Sequence, residues 1–334
     1  MYKLYLPKGD VDVTILYDDI IRRAVRQTEE EIVDVCSLKD IKRDDKVIAV
    51  CVRDAFAVWL RNPTQYVIVW TQGIVEEILT QTLHCYFITR MKYFCFCFLE
   101  YLVLKKAKRL FFVSEAMRKH FIKKYGSFKT PYIIMPCFNI EQLDIEAFCP
   151  QKYVSPTFVY AGGFQKWQCV DKMLLVFKEI QKLIPNAHLT ILSKELNLAE
   201  SSIRKLGLNH VEVKYVDIEK LDIEMRKYKY GFLLRDNTII NRVATPTKMG
   251  TYLAAGIIPI FTTAVADFDN LLPLDGYGLK FNYTDSNLFI AKQIADFDRK
   301  EIDIEKIRET YQTVFSSYYS PNHYLNMIHQ KNIF

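Results

Sequence analysis

The chain has 334 residues, about two domains' worth at roughly 150 residues each, and 50% of them are apolar while 25% are charged. That near-average composition excludes disorder, collagen and coiled coil as descriptions of the whole chain. A net charge of +6 is mild for a nucleic-acid binder and compatible with a partner that carries phosphates.

In chain order, residues 2–6, 32–35, 47–52 and 66–70 read as strands, with a helix over 13–26 between the first two. Residues 79–104 read as one long helical stretch, followed by a strand at 109–113 and a helix at 115–124. Around 148–156 the segment CPQKYVSP sets two prolines between periodic segments and reads as an interdomain linker. Strands are then expected at 157–164, 188–193, 211–216, 230–234 and 257–261, with helices at 169–183, 198–206, 219–227 and 247–255. A helix at 301–317 and a short one after Pro321 finish the chain.

Alternation at this spacing predicts βαβ units and parallel sheets covered by helices on both faces. The expected class is α/β, two Rossmann-like domains facing across a cleft. They span 1–150 and 151–317, with a C-terminal helix at about 318–334 packed back on the first. Ligands of open α/β sheets bind beyond the carboxyl ends of the strands.

Eight cysteines, at 36, 51, 85, 95, 97, 137, 149 and 169, form no CxxC pair and read as reduced core residues. The opening MYKLYLPKGD has no apolar leader core, and no uncharged apolar run reaches the roughly 18 residues a spanning helix needs. The expected location is cytoplasmic.

Two stretches could carry chemistry. YAGGFQKWQ at 160–168 follows a strand and opens a helix. There Gly162 and Gly163 would let backbone approach a ligand, free helix N–H groups would face a phosphate, and Lys166 would add a cation. The bland alternative is a tight turn with a solvated lysine. The second stretch, LRDNTIINRVATPTKMGTYLAAGIIPI at 234–260, leaves a strand at Arg235, enters a helix near Pro246 and stops it at Gly256. Arg235, Arg242 and Lys248 would concentrate positive charge at that helix start; a capped surface helix behind a long loop is the alternative.

The pattern PTKxxxYLAxGxxPI at 246–260, with the strand–GG–K–helix unit some 80 residues earlier and PNAHLTI at 185–191, resembles the family-four glycosyltransferases of the GT-B fold. These are retaining enzymes that use nucleotide-sugar donors. The resemblance is carried mainly by residues 155–265; VWTQG at 69–73 and FVSEAM at 112–117 extend it into the first half. It implies that Lys166 and the Gly162–Gly163 backbone meet the donor diphosphate, that the helix with Lys248 presents its start to the same phosphates, and that the acceptor enters near Gln72 and Gly73. Arg235 and Lys166 would stabilise the charge that develops on the leaving diphosphate, which itself takes the incoming hydroxyl's proton.

Two departures stand out. Many members carry two glutamates, the second holding the ribose; here those positions are Val243 and Thr251, and Thr251 offers only a hydroxyl to the ribose. Gln72 stands where many relatives have a histidine, and an amide is neither acid nor base near neutral pH. A GT-B-fold protein that binds without turnover is therefore the second reading. No DxD pair is placed to bridge donor phosphates by a metal; Asp18–Asp19 and Asp44–Asp45 read as helix-face and turn carboxylates. Neither a metal nor a cofactor is expected beyond the donor.

A third feature concerns surroundings. Residues 105–124 hold eight basic side chains against the single acid Glu115, next to the aromatic run YFITRMKYFCFCFL at 86–99. Basic residues beside an aromatic helix suit an anionic membrane surface, which would place the protein on the inner face of a membrane beside a lipid-linked acceptor. The alternative is aromatic core with a solvated basic face. Nucleic acid is not expected as a partner, because stacking platforms interleaved with arginine are missing there.

Overall fold

Most strands are runs of consecutive buried residues, and the four edge strands are the exceptions; unbroken apolar runs mark sheets covered on both faces. The computed structural model describes residues 1–7, 15–80 and 86–334. They fall into two units: residues 1–139 with 242–245 and 320–334, and residues 140–241 with 246–319.

The first unit contains β1 (Tyr2–Tyr5), α1 (Ile15–Arg26), β2 (Ile32–Val35), β3 (Lys46–Ala49), α2 (Val52–Arg61), β4 (Tyr66–Thr71), α3 (Tyr86–Lys106), β5 (Arg109–Phe112), α4 (Glu115–Tyr125) and β6 (Tyr132–Ile134). Its sheet runs β2-β1-β3-β4-β5-β6, all parallel. Val67, Ile68, Val69 and Trp70 of β4 are fully buried, as are Leu110, Phe111 and Phe112 of β5. Edge strand β2, sequence IVDV, is half solvated and carries a charge, which blunts pairing with another chain.

The second unit contains α5 (Pro150–Val154), β7 (Thr157–Ala161), α6 (Val170–Leu183), β8 (His188–Leu192), α7 (Leu196–Leu206), β9 (Val211–Lys214), α8 (Ile218–Met225) and β10 (Tyr230–Leu233). It continues with α9 (Ile239–Val243, whose last two residues belong to the first unit), α10 (Lys248–Ala254), β11 (Ile258–Thr262), α11 (Ala266–Leu271), β12 (Leu279–Phe281), α12 (Asn287–Asp298) and α13 (Ile304–Ser317). The order β12-β11-β10-β7-β8-β9 is again all parallel. The last helix, α14 (Pro321–Gln330), returns to the first unit against α1, and beyond it the Phe334 ring lies 5.5 Å from Tyr2 and 6.2 Å from Phe111.

The α/β class with parallel sheets is as expected from the sequence. Several elements add to that reading: α2, α9, α11, α12, β6 and β12 were not legible, and 148–156 holds α5 rather than a bare linker. Lys152 and Tyr153 of α5 donate to the carbonyls of Ala255 and Gly256, closing the end of α10; the Tyr153 bond is 2.8 Å. The seven described cysteines are free, but Cys36 and Cys95 are exposed and only Cys169 is buried, which corrects their reading as core residues. Asp18 lies on α1, as read, and is fully buried there. Residues 13–14 of the expected first helix, 81–85 of the expected long one, and Cys85 lie outside the described residues.

Candidate functional site

At the carboxyl end of β7 the chain turns through Gly162, whose φ of +150° L side chains rarely adopt. A side chain there would also displace Lys248, since a Cβ on Gly162 would lie 2.7 Å from Lys248 Nζ. Gly162 N–H donates to Leu192 O (2.9 Å), Phe164 N–H to Glu195 Oε2 (2.6 Å), and Tyr160 Oη–H to Gly163 O (2.5 Å). The loop is thus held from three sides. A single 3₁₀ turn, Lys166–Gln168, leads to Cys169 at φ +52° and then α6.

Lys248 opens α10 and crosses to this loop. Its Nζ stands 4.2 Å from the centroid of the Tyr160 ring and donates to Gln168 Oε1 at 3.1 Å. Tyr252, one turn later, accepts from Ala161 N–H (3.3 Å) and donates to Phe232 O (3.2 Å), so α10 is pinned to the ends of β7 and β10.

Arg235 leaves β10 and is 4% exposed. Its backbone exchanges hydrogen bonds with Thr262 Oγ1, its Nη1 donates to Trp167 O at 2.7 Å, and its buried Nε has no hydrogen-bond partner. Asp236 makes no ion pair with it, because that carboxylate accepts from Asn241 Nδ2 and from Thr238 Oγ1, although its charge still acts on Arg235 from a distance.

Arg235 is thus buried with Lys248 half-buried beside it, and among the described residues neither cation makes an ion pair with a carboxylate. Burial, and then the Arg235 guanidinium, push the Lys248 ammonium well below the usual lysine range, and burial lowers Arg235 too. Such a pair is incomplete by itself: removal from water is offset only by a counter-charge, and a phosphate group supplies one.

The other sequence-derived residues are placed as follows. Lys166 lies on the 3₁₀ turn with its side chain exposed, and Gly163 follows Gly162 in the loop. Thr251 is 6% exposed and its hydroxyl faces Thr247 O at 3.4 Å. Arg242 is not part of the cluster; it is exposed, and residues 242–245 belong to the first unit, where Val243 O accepts from Ser114 Oγ (2.6 Å) and Thr245 Oγ1 from Cys137 N–H (2.9 Å). Gln72 and Gly73 leave β4; the Gln72 Nε2 is buried without a hydrogen-bond partner, and a Cβ on Gly73 would meet Glu77 Oε1 at 2.8 Å. Sequence reasoning missed Tyr160, Gln168 and Tyr252, whose only signal was the spacing of polar and aromatic residues around the glycines. Among the described residues no group of three His, Cys, Asp or Glu could hold a metal ion, and no helix is long and apolar enough to cross a membrane.

No protein-family model and no curated protein sequence matches the chain. Solved structures do. Sucrose-phosphate synthase from Thermosynechococcus elongatus superposes with a TM-score of 0.66 at 12% identity, covering 98% of this chain and 97% of that one. The pneumococcal O-GlcNAc transferase GtfA, in complex with UDP and GlcNAc, gives 0.60 at 12% identity over 88% of this chain; the match spans 57% of the transferase. Trehalose 6-phosphate synthase from Burkholderia multivorans gives 0.59 at 9% identity over 94% and 76%. The class these likenesses define is a fold, paired Rossmann-like units of the GT-B kind. At such identities the sugar transfer printed for those proteins remains theirs.

Proposed function

We propose that the chain is a glycosyltransferase that moves a sugar from a nucleoside-diphosphate sugar to a glycan or lipid-linked acceptor with retention at the anomeric carbon. The observation that carries this reading is the Arg235–Lys248 pair at the exit of β7 and β10, a buried and a half-buried cation that make no ion pair with a carboxylate among the described residues. Its fold-level support is the likeness to sugar transferases, one of them holding UDP.

In this reading the donor diphosphate seats against Lys248 Nζ and the Arg235 guanidinium, with the Gly162–Gly163 backbone close to it. As the bond from the anomeric carbon to the diphosphate breaks, negative charge grows on the leaving oxygen, and the two fixed cations stabilise it more than they stabilise the intact donor. The acceptor hydroxyl bonds to the same face of the anomeric carbon, and its proton passes to the departing diphosphate. Lys166, exposed on the loop, adds long-range attraction for the donor. Acceptor recognition is assigned to the exit of β4, at Gly73 and at Gln72, whose buried Nε2 has no hydrogen-bond partner. The nucleotide sugar is a substrate, and the reading invokes no other cofactor.

Isothermal titration with UDP and with GDP tests the donor site. Binding of one of them in the micromolar range, abolished by Arg235→Ala, is expected; no binding of either at millimolar concentration sinks the reading. Release of UDP or GDP from a panel of nucleotide sugars then separates a transferase from a protein that only binds, the reading that Val243 and Thr251 motivate.

A further inference from the structure

The longest helix, α3, is apolar on two opposite faces, and only one of them is covered. Phe87, Met91, Phe94, Phe98 and Tyr101 follow one another at spacings of four and three, so they form a single stripe along the helix. All five are exposed; Phe87, Phe94 and Phe98 are 70%, 56% and 61% accessible. Ile88 and Cys95 widen the stripe on one side and are exposed as well. The opposite face is fixed in the first unit: Val103 is fully buried, and Glu100 accepts from Val75 N–H, Lys124 Nζ and Tyr125 Oη–H. A helix that is apolar on every side belongs to an interior or to an apolar solvent, and a contiguous aromatic stripe in water marks a contact surface.

The charges say which contact. Arg90, Lys92, Lys105 and Lys106 of α3 are all exposed, as are Lys108 beyond its end and Lys119 and Lys123 on α4. The Arg90 guanidinium lies 5.7 Å from the Phe94 ring and the Lys105 ammonium 5.9 Å from the Tyr101 ring, so cations border the stripe directly. The one acid of the helix, Glu100, is 1% exposed and paired with Lys124. The solvent side of α3 thus carries apolar groups, most of them aromatic, and positive charge, with no acid.

We propose that this face seats on an anionic lipid bilayer, with Phe87, Met91, Phe94 and Phe98 entering the boundary between headgroups and acyl chains while the arginines and lysines meet lipid phosphates. A second copy of the chain fits less well, because pairing two such stripes would bring cations together at the rim of a dry contact. The helix lies on the bilayer rather than through it: its five charged residues rule out a span. The proposal rests on the first unit alone and is independent of the donor site.

The test is co-sedimentation of the full chain with vesicles of phosphatidylcholine, with and without phosphatidylglycerol, at low and high salt. Binding at least tenfold tighter to the anionic vesicles, weakened by salt, is expected. Phe94→Ser with Phe98→Ser lowers it at least tenfold with an unchanged circular dichroism spectrum, and Arg90→Glu with Lys92→Glu lowers it without touching the stripe. A fluorophore on Cys95, in a Cys36→Ser background, shifts to the blue on anionic vesicles. Three outcomes each overturn the proposal: no binding to anionic vesicles at low salt, binding that survives the double serine variant, or a dimer in sedimentation equilibrium that the serine variant dissolves.

Discussion

Two lysines, one in each unit, are drawn out of water in opposite company. Lys124 in α4 has its Nζ 2.9 Å from Glu76 Oε1 and 2.9 Å from Glu100 Oε2. Burial pulls its proton affinity down, but the two carboxylates outweigh burial and hold it above the usual lysine range. Glu76, also bonded to His120 at 3.1 Å, is held at about 2 by His120 and Lys124 against the opposing effect of its own burial. Glu100 goes the other way, because its near-complete burial exceeds what Lys124 and Tyr125 return. Lys248 has an arginine for a neighbour and no carboxylate, and it is pushed down. The first cluster holds its cation between two carboxylates, with only Glu76 Oε2 left without a partner, and ties α3 to α4; the second has no carboxylate bonded to its cations and takes an anion in the proposed reading.

The contrast predicts opposite responses to one substitution. Lys124→Met leaves two buried carboxylates without their cation and should cost about 3–5 kcal/mol of stability, read as a fall in the urea midpoint. Adding Glu100→Gln should return part of that loss. A cost below about 1 kcal/mol would mean that water, not Lys124, satisfies those carboxylates.

Lys152 supplies an intermediate case, a buried lysine bonded to a backbone carbonyl. Burial lowers it to about 7. Between about 7 and the unfolded value near 10.4, the unfolded chain holds a proton that the folded chain has released, so raising the pH through that window favours folding. Wild type should gain roughly 2–4 kcal/mol relative to Lys152→Met across it. Parallel stability profiles for the two proteins would show that Lys152 stays charged and hydrated.

Lys248→Met should act on binding instead. Removing a charged hydrogen-bond donor to phosphate should weaken UDP by about 10- to 100-fold, that is, roughly 1.5–3 kcal/mol, while the urea midpoint stays level or rises because one of two repelling cations is gone. A fall in stability comparable to that of Lys124→Met would make Lys248 a structural residue and erase the contrast. The same geometry gives a pH effect of smaller size. A bound dianion raises the Lys248 proton affinity, so in the pH range where the free protein is losing the Lys248 proton, donor binding takes one up and affinity falls as pH rises. Titrations in two buffers of different ionisation enthalpy would show this uptake, and Lys248→Met should lose it.

Much of this was legible along the chain and part of it was not. Parallel strands announce themselves as unbroken apolar runs, so most of both sheets could be read directly. Helix α2 escaped because it starts right after β3 behind a cysteine cap, with no Gly, Pro or ordinary capping residue at the border; Cys51 Sγ accepts from Asp54 N–H. Arg235, Lys248 and Gly162 were visible as a pattern of turn, cation and helix start. Their convergence on one diphosphate came only from the family resemblance, and the contacts themselves were not legible, since Lys248 reaches Gln168 across 80 residues and fills the space that a side chain on Gly162 would need. Arg242 shows the converse: its nearness in sequence suggested membership, but residues 242–245 leave the second unit altogether. The aromatic run at 86–99 could be read as core or as surface, and only the helix phase, with Glu100 turned inward, separates the two faces.

Lys166 provides the finest test of the contrast between a cation fixed by burial and one that is merely near. The sequence pattern placed it beside the donor phosphates, but its side chain is exposed and Arg235, not Lys166, is the buried cation that reaches the same turn, through Trp167 O. In high dielectric a lysine contributes about 0–1 kcal/mol to an ion pair, so Lys166→Ala should weaken UDP by no more than about fivefold. Because the contribution is screened, it should fade as salt is raised to a few hundred millimolar, whereas the loss from Lys248→Met should persist. A salt-independent loss of 30-fold or more from Lys166→Ala would show that the 3₁₀ turn closes over the diphosphate when the donor binds, and Lys166 would then rank with Lys248.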